Sequence, residues 1–551
     1  MNLAGGAFLV KESTPGSVFT PEDLCDEHLA IARTAEEFFR NEIAPNVEGL
    51  LHQEPGLGRR LLRKSAELGL TGILIPEQFG GLELDLPSAL VAAQALARDA
   101  SYSAWHGAHS GIGTLPILYF GTEEQKRKYL PRLASAEMIA AYALTEPQAG
   151  SDAQAARTRA DLTANGTTYI LNGQKMWITN GGDADLFTVF AKVGGEKLTA
   201  FLVERAFGGV SSGAEEKKMG LKGSSTTAIY FENVPVPAAN VLGEIGRGHI
   251  IAFNILNIGR LKLGTTAVAG AKRALELSIR YAKERKAFGS PIAEFGAIRH
   301  KLAEMAVRIY AAESMAWRTA GLIQAASGTE LESIEEYAIE CSMVKVYGSE
   351  ALDYAADEGV QIHGGYGYHQ DYEIERIYRD SRINRIFEGT NEINRLLIPG
   401  MLLKRAARGK LNLSATIAEP VEDEETRLLQ NAKQIALLTL GLAAGRYGTA
   451  LDKQQEILMC LADTVMEVFA MESSWLRARK TGLAAEICAV FLRDAMARIQ
   501  QSARCVLGAC TDGEELRSHD VALRRLTTYE PVNAIALRRK IAEQLLARGR
   551  Y

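Results

Sequence analysis

From Pro21 to about Met138 apolar and charged positions interleave at helical spacing, as where Leu61, Leu62 and Leu68 lie among Arg60, Arg63, Lys64 and Glu67. Residues three and four apart share a helix face, so this stretch predicts amphipathic helices, with a loop at Gly80-Gly81. From Thr145 to about Gly243 the pattern shortens to β-branched and aromatic runs: 168–171, 187–191, 198–203 and 228–231. Asn172-Gly173, Gly181-Gly182, Gly194-Gly195 and Val234-Pro235-Val236-Pro237 separate or bound these runs, which predicts an antiparallel β domain with no room for crossover helices. Helical spacing returns after Gly246, with Val268, Ala271, Leu275, Ile279 and Ala282 on one face. Helices continue to about Arg408, and the acidic stretch from Glu419 to Glu425 reads as a linker to a last module rich in Ala, Leu and Arg. The predicted class is α+β: an N-terminal helical domain over 20–144, a β domain over 145–245, a helical domain over 246–410 and an appended helical domain over 424–551.

Composition narrows this picture without assigning a function. A chain of 551 residues, 47% hydrophobic and 23% charged, has the length for about three or four globular cores. A net charge of -5 and a pI near 6.1 exclude the basic field of a general nucleic-acid binder. The cysteines (Cys25, Cys341, Cys460, Cys488, Cys505, Cys510) are scattered and form no CxxC pair, so neither a disulfide scaffold nor a metal site is expected. They read as reduced, buried thiols of an intracellular protein. The first residues carry no basic n-region, and no window reaches the roughly 20 apolar residues of a membrane span. The expectation is a soluble, cytoplasmic chain.

Several short motifs carry candidate chemistry, each with a plain structural alternative. Glu388 follows Ile386-Phe387 and precedes Gly389-Thr390. Desolvation by apolar neighbours raises a carboxyl pKa toward that of a useful base, and the glycine permits a turn that brings the side chain close to a ligand. The same pattern fits an ordinary turn. The run Ala143-Leu144-Thr145-Glu146-Pro147-Gln148-Ala149-Gly150-Ser151-Asp152 groups amides and hydroxyls suited to a polar ring system, or forms a helix-to-strand turn. Trp177 and Thr179 fall on one strand face by the period of two, where they flank a flat ligand or fill the core. Gln361-Ile362-His363-Gly364-Gly365-Tyr366-Gly367-Tyr368 is neither a dinucleotide fingerprint, since no strand feeds it, nor a P-loop. Arg285-Lys286-Ala287-Phe288-Gly289 ends a helix with cations, which suits the helix dipole or a pyrophosphate. His363 has no partner at metal-ligand spacing and reads as structural or hydrogen-bonding.

In order and spacing these motifs closely resemble the acyl-CoA dehydrogenase family. One family signature is matched by Ala143-Leu144-Thr145-Glu146 through Gly150-Ser151-Asp152. The other is matched by Gln361 through Gly364-Gly365, Gly367, Asp371, Arg376 and Asp380. The resemblance covers about residues 20–405, and the appended domain is similar to that of the very-long-chain members. It implies that family's fold, with a four-helix-bundle-like third domain, and non-covalent FAD. The implied reaction is α,β-dehydrogenation of a saturated acyl-CoA thioester to trans-2-enoyl-CoA, as in fatty acid β-oxidation. Hydride goes to flavin N5 and electrons pass on to an electron-transferring flavoprotein.

By resemblance Glu388 is the base for the α-proton. The thioester carbonyl is bound by the backbone N–H at that position and by a flavin ribityl hydroxyl. Such a C–H is too weak an acid unless the developing enolate is stabilised. Members that carry the base on an earlier helix place it just before the arginine matched here by Arg260, and this chain has Gly259 there. Ser151, Asn257, Arg260 and Gly389 are the implied substrate-binding positions. Tyr142, Leu144, Thr145, Gly150, Ser151, Trp177 and Thr179 match segments that line the isoalloxazine. Arg285, Phe288, Gln361 and Gly365 match the set that reaches the FAD of a neighbouring subunit, and Thr390 and Glu392 match positions near the adenosine. Ala287 and Gly296 depart from the medium-chain pattern, which has a hydroxyl residue and a glutamine there. A cofactor shared between subunits implies a homo-oligomer, taken as a dimer.

The stretch 107–113 resembles the small-residue pattern of very-long-chain members at the closed end of the acyl pocket. Each methylene admitted there is worth about 0.8 kcal/mol, which points to long-chain acyl-CoA, with Trp105 a bulky exception. Two alternatives stay open: an acyl-CoA oxidase on the same fold, and a non-catalytic, assembly-factor-like binding paralogue. Retention of both signatures and Glu388 argues against the second. In the appended domain, Arg538-Arg539-Lys540 with Arg548 and Arg550 fits peripheral membrane contact or a solvated helix face.

Overall fold

The computed structural model describes residues 4–413 and 423–551. They form two compact units: Leu24–Lys262, and the described residues of Met1–Asp23 with Leu263–Tyr551. The helix Gly248–Glu284 runs through the division between them.

In the unit Leu24–Lys262 the expected helices form early. Asp26–Phe38, Leu57–Glu67, Leu86–Leu96, Ala100–Gly107 and Glu123–Ala134 are helical. Local chemistry fixes several starts. The carboxylates of Asp85 and Asp99 accept from the Ser88 and Tyr102 amides, and Thr122 and Gln125 close a capping box. Their apolar faces meet in a core that includes Phe38, Leu61, Leu96 and Tyr102.

Eight strands follow: β1 Ala140–Ala143, β2 Arg159–Leu162, β3 Thr168–Thr179, β4 Leu186–Val193, β5 Lys197–Glu204, β6 Val210–Glu215, β7 Thr226–Pro237 and β8 Val241–Leu242. Their order is β6-β7-β3-β2-β4-β5-β8, with β1 added beside β4. Most neighbours are antiparallel, as expected, but β1 and β2 both pair parallel with β4, so the sheet is not wholly antiparallel. Two of the expected boundaries are strand interior. Asn172-Gly173 is a register shift within β3, with Gly173 at φ 151°, and Val234–Pro237 continues β7 along β3. Prolines are tolerated in that stretch because β6 pairs with β7 only as far as Phe231, leaving Pro235 and Pro237 on an edge.

The other unit is helical. Val268, Ala271, Leu275, Ile279 and Ala282 are all buried, as their spacing predicts. Gly296–Ala325, Ala338–His363 and Asn391–Ala407 continue the bundle, and Glu424–Tyr447, Gln455–Thr481, Ala485–Cys510, Gly513–Leu526 and Ala534–Arg548 make up the appended part. The linker expected over Glu419–Glu422 lies outside the described residues. Asp423 is a helix cap, its carboxylate accepting from the Thr426 amide, so Glu424 and Glu425 form a first turn rather than a linker.

Buried charge joins the appended helices to the bundle. Glu472 accepts from Arg318 at 2.7 Å and from Lys433 at 2.5 Å, all three side chains nearly inaccessible. Arg477 donates to Glu313 at 2.9 Å and to Glu22 at 2.7 Å, and Lys272 also pairs with Glu313. Burial alone raises the Glu313 pKa, but Lys272 and Arg477 outweigh it and push it down to about 2. The basic cluster of the last helix is partly spoken for. Arg538 pairs with Glu304 and Asp494, and Lys540 with Glu486, which lends a membrane contact no support. Among the described residues no helix is long and apolar enough to cross a membrane.

Removing one partner of a buried ion pair leaves the others uncompensated, at about 3–5 kcal/mol. Glu472→Gln is therefore expected to lower unfolding stability by about that amount in denaturant titration, whereas Glu543→Gln, on an exposed carboxylate, should change it by no more than about 0.5 kcal/mol. Glu313 also fixes a pH dependence. Its carboxyl titrates lower in the folded chain than the ordinary 4.5, so its stabilising contribution is complete above about pH 4.5 and is lost as pH falls toward 2. Urea midpoints of Glu313→Gln should fall less steeply across that window than those of the unsubstituted protein; equal slopes would remove Glu313 from the account.

Candidate active site

The sequence-predicted residues divide between the two units. In Leu24–Lys262, β1 leads from Tyr142 to Leu144, and the chain then turns tightly, with Glu146 and Ala149 exchanging backbone hydrogen bonds. Lys175 of β3, wholly buried, donates to the Leu144 carbonyl at 3.0 Å and to the Glu146 carboxylate at 2.7 Å. Glu146 also accepts from the Arg157 and Thr158 amides at 2.6 and 3.0 Å. Burial pushes the Glu146 carboxyl up, but the Lys175 charge and these donors outweigh it and hold the group below its usual pKa. The Met176 amide donates to Thr145 at 2.9 Å, so the 143–152 segment and the end of β3 form one platform.

That platform corrects the expectation for Trp177. The alternation of β3 breaks between Lys175 and Ile178, Trp177 takes φ 55°, and its indole is 60% exposed. A period-of-two argument therefore does not place it beside Thr179, and it is not a core tryptophan. Thr145 and Thr179 are half-buried and Ser151 is exposed. A Cβ added to Gly150 would meet nothing within 4 Å, so the space before it is open. The result is a shelf with a flat apolar plate and hydroxyls nearby. In the same unit, Tyr142 donates weakly to the Ala252 carbonyl at 3.4 Å, and buried Arg260 donates to Asn257 at 3.0 Å.

The stretch 107–113 is partly π-helical, over Ala108–Gly113. His109 is held neutral there. The Ala140 amide donates to its Nδ1 at 3.1 Å, its Nε2 donates to the Leu133 carbonyl at 3.0 Å, and burial pushes its pKa down to about 4. The three glycines differ. Gly107 faces open space, a Cβ on Gly113 would strike Ala140 at 2.7 Å, and one on Gly111 would meet Lys262 Nζ at 3.6 Å. Lys262, which donates to Ser110 at 3.3 Å and is pushed down to about 8 by burial, gave no sequence signal. Trp105 is a core residue, packed with the sheet interior and against Gly58.

In the other unit, Glu388 and Gly389 both adopt left-handed backbone, at φ 58° and 79°. For glutamate that conformation costs about 1–3 kcal/mol and persists only where its surroundings impose it. They do so here. Buried Lys345 donates to the Gly389 carbonyl and to Asn391 Oδ1, both at 2.7 Å, and Asn394 donates to the Gly389 and Thr390 carbonyls at 2.9 and 3.0 Å. Thr390 caps the helix Asn391–Ala407, its hydroxyl accepting from the Ile393 amide, and exposed Glu392 lies in the first turn. The apolar company expected for Glu388 is thinner than its sequence suggests, because Ile386 is 47% exposed. Lys345 and Lys175 were missed, since a lone lysine in a helix or strand reads as a surface cation.

Arg285 and Gly365 share a pocket of about 450 Å³, lined also by Tyr281, Ile362, His363 and Tyr366. His363 stacks on Tyr281 with ring centres 4.2 Å apart and donates from Nδ1 to the Gly359 carbonyl, while Arg285 lies over Tyr366 at 5.7 Å. Burial lowers the His363 pKa, which keeps the ring neutral. Gln361 and Phe288 lie outside this lining. Phe288 sits at the tip of the ribbon Lys286–Ala287/Ser290–Pro291, at φ 51° and 98% exposed.

The chain matches the acyl-CoA dehydrogenase N-terminal domain over residues 25–137, the middle domain over 141–234, and C-terminal domains over 246–402 and 431–525. It is 48% identical to a probable acyl-CoA dehydrogenase of Bacillus subtilis (strain 168), over 99% of this chain and 98% of that protein. It is 44% identical to the mitochondrial very long-chain specific acyl-CoA dehydrogenase of Rattus norvegicus, over 60% of this chain and 51% of that one. A crystal structure of an acyl-CoA dehydrogenase complexed with FAD from Bacillus anthracis superposes with a TM-score of 0.97, at 50% identity, covering 100% of this chain and 99% of the other.

If Lys345 imposes the turn, removing its ammonium takes a charged donor from the Gly389 carbonyl and from Asn391 Oδ1, each contact worth about 1–3 kcal/mol. Lys345→Met is expected to lower unfolding stability by about 2–5 kcal/mol in denaturant titration. A change under about 0.5 kcal/mol would mean that the turn stands without it.

Proposed function

The chain belongs to the acyl-CoA dehydrogenase family, and from that premise we propose that it oxidises saturated acyl-CoA thioesters to trans-2-enoyl-CoA, with Glu388 as the base. The observation that carries this reading is the Glu388-Gly389 turn: a glutamate in costly left-handed backbone, pinned by a buried lysine, is what a positioned carboxylate requires. Glu388 takes the α-proton, and the backbone N–H at that position hydrogen-bonds the thioester carbonyl as enolate charge develops. Lys345 and Asn394 keep the Gly389 carbonyl fixed while it does so. Gly259 carries no side chain to act in its place.

The shelf fits FAD: an exposed indole, half-buried hydroxyls and open space at Gly150 suit a planar ring with polar edges. When bound, FAD supplies the acceptor for the β-hydrogen and its electron pair. Tyr142, Leu144, Thr145, Gly150, Ser151, Trp177 and Thr179 would hold the ring system, with Thr390 and Glu392 toward the adenosine. Ser151, Asn257, Arg260 and Gly389 would hold the thioester and its CoA. Arg285, Phe288, Gln361 and Gly365 would serve the cofactor of a neighbouring subunit, making the working form a homo-oligomer. A phenyl ring left 98% exposed on a ribbon tip supports that role, because such a ring gains from being covered. The electron acceptor proposed is an electron-transferring flavoprotein.

For the acyl group we favour long chains. Gly107 leaves open space and supports the reading, whereas Gly113 is small because Ala140 packs against it, and Gly111 faces Lys262. An acyl chain reaching Gly111 would meet the Lys262 ammonium rather than a further methylene-sized gap.

Anaerobic titration of the FAD-loaded protein with acyl-CoAs of graded length tests the proposal. The flavin absorbance should bleach, most readily with long chains, and Glu388→Gln should slow bleaching by roughly 10²–10⁴-fold while still binding FAD. No bleaching at any chain length would sink the dehydrogenase reading. Stoichiometric peroxide release in air would replace the flavoprotein acceptor with oxygen.

A further inference from the structure

The appended part contains a thiol pair that the proposed chemistry does not use. Gln455–Thr481 and Ala485–Cys510 are joined by a short turn with Gly482 and Ala484 in left-handed backbone, so they run antiparallel as a hairpin. Their register is fixed by Glu467, which accepts from Arg498 Nε at 2.6 Å and Nη2 at 3.0 Å. Seven residues are close to two helical turns, so a step of seven returns to the same face. Seven before Glu467 is Cys460, and seven after Arg498 is Cys505. The hairpin register therefore sets these two thiols opposite each other, and the Cys505 side chain adds to the upward push of burial on the Cys460 thiol. Packed helices lie about 8–10 Å apart axis to axis, and subtracting two backbone radii of about 2.3 Å leaves facing backbones near the 4.4–6.8 Å Cα spacing of disulfides.

We propose that Cys460 and Cys505 are a reversible disulfide site that staples the two long helices of the appended domain. The two sulfurs have different surroundings. Cys505 is exposed to solvent, whereas Cys460 is half-buried and burial pushes its thiol up to about 11. Cys505 thus meets a hydroperoxide first. Its thiolate attacks one peroxide oxygen, the O–O bond breaks, and a sulfenic acid and water result. The Cys460 sulfur then attacks the Cys505 sulfur, the S–O bond breaks, a second water leaves with the thiol proton, and the S–S bond closes. In sum two thiols are oxidised and one hydrogen peroxide is reduced to two waters; a dithiol reverses the change. Cys488 and Cys510 are buried and take no part.

The test uses the full-length holoprotein treated with hydrogen peroxide or diamide, followed by thiol counting and non-reducing peptide mapping. Two of the six thiols should disappear, a single cross-linked peptide should join Cys460 to Cys505, and dithiothreitol should restore both thiols. Thermal unfolding should move to higher temperature on oxidation and return on reduction. Cys505→Ser, at an exposed position, should retain the basal Tm and lose the oxidative shift. A Cys505 that stops at sulfinic acid, that joins two chains to each other, or that pairs with any cysteine other than Cys460 would overturn the proposal.

Discussion

Lys345 is wholly buried. Its ammonium is spent on the Gly389 carbonyl and the Asn391 side chain, and those contacts hold two consecutive residues in left-handed backbone. A buried cation unmatched by such acceptors would cost several kcal/mol, so the lysine and the turn require one another. The helix Asn391–Ala407 begins where the turn ends, with Thr390 as its cap, so the same contacts set where that helix starts. Lys175 plays the corresponding part in the other unit. It draws the Leu144 carbonyl and the Glu146 carboxylate onto β3 beside the bulge that turns Trp177 outward. In each unit, one buried lysine shapes a loop that holds residues of the proposed site.

Charge also governs the appended helices. The groups around Glu472 and Glu313 join elements far apart in sequence, from Glu22 to Arg477. Desolvation offsets most of the attraction in such clusters, so they add little net stability compared with an apolar core. What they do is penalise every other arrangement, because any slip leaves a buried charge without its partner. Arg538 and Lys540 of the last helix also meet carboxylates, which places part of the basic cluster within the fold's own contacts.

Much of this was legible in sequence, and the failures have physical causes. The spacing of Val268, Ala271, Leu275, Ile279 and Ala282 found a buried helical face because burial and period agree there. The four β-rich runs fall within β3, β4, β5 and β7, but short strands such as β1 and β8 carry too little pattern to be seen. Asn172-Gly173 reads as a turn, and only its pairing partners on β7 reveal a bulge. The alternation leaves Trp177 open between core and ligand face for the same reason: a two-residue period cannot anticipate a left-handed residue inside a strand. Lys175, Lys262 and Lys345 left no trace, since a lysine's burial is decided by neighbours distant in sequence. Glu388 is singled out in sequence by the motifs around it; its left-handed backbone is visible only in the structure.

In the proposed reaction one carboxylate, set by one lysine, takes a proton from carbon. A thioester that binds but cannot be oxidised, such as a 3-thia-acyl-CoA, isolates that step. Exchange of its α-hydrogens with deuterated water can be followed by NMR in the FAD-loaded protein. Exchange should be rapid in the unsubstituted chain, absent above background in Glu388→Gln, and slowed in Lys345→Met at saturating thioester. Undiminished exchange in Glu388→Gln would contradict the proposed reaction.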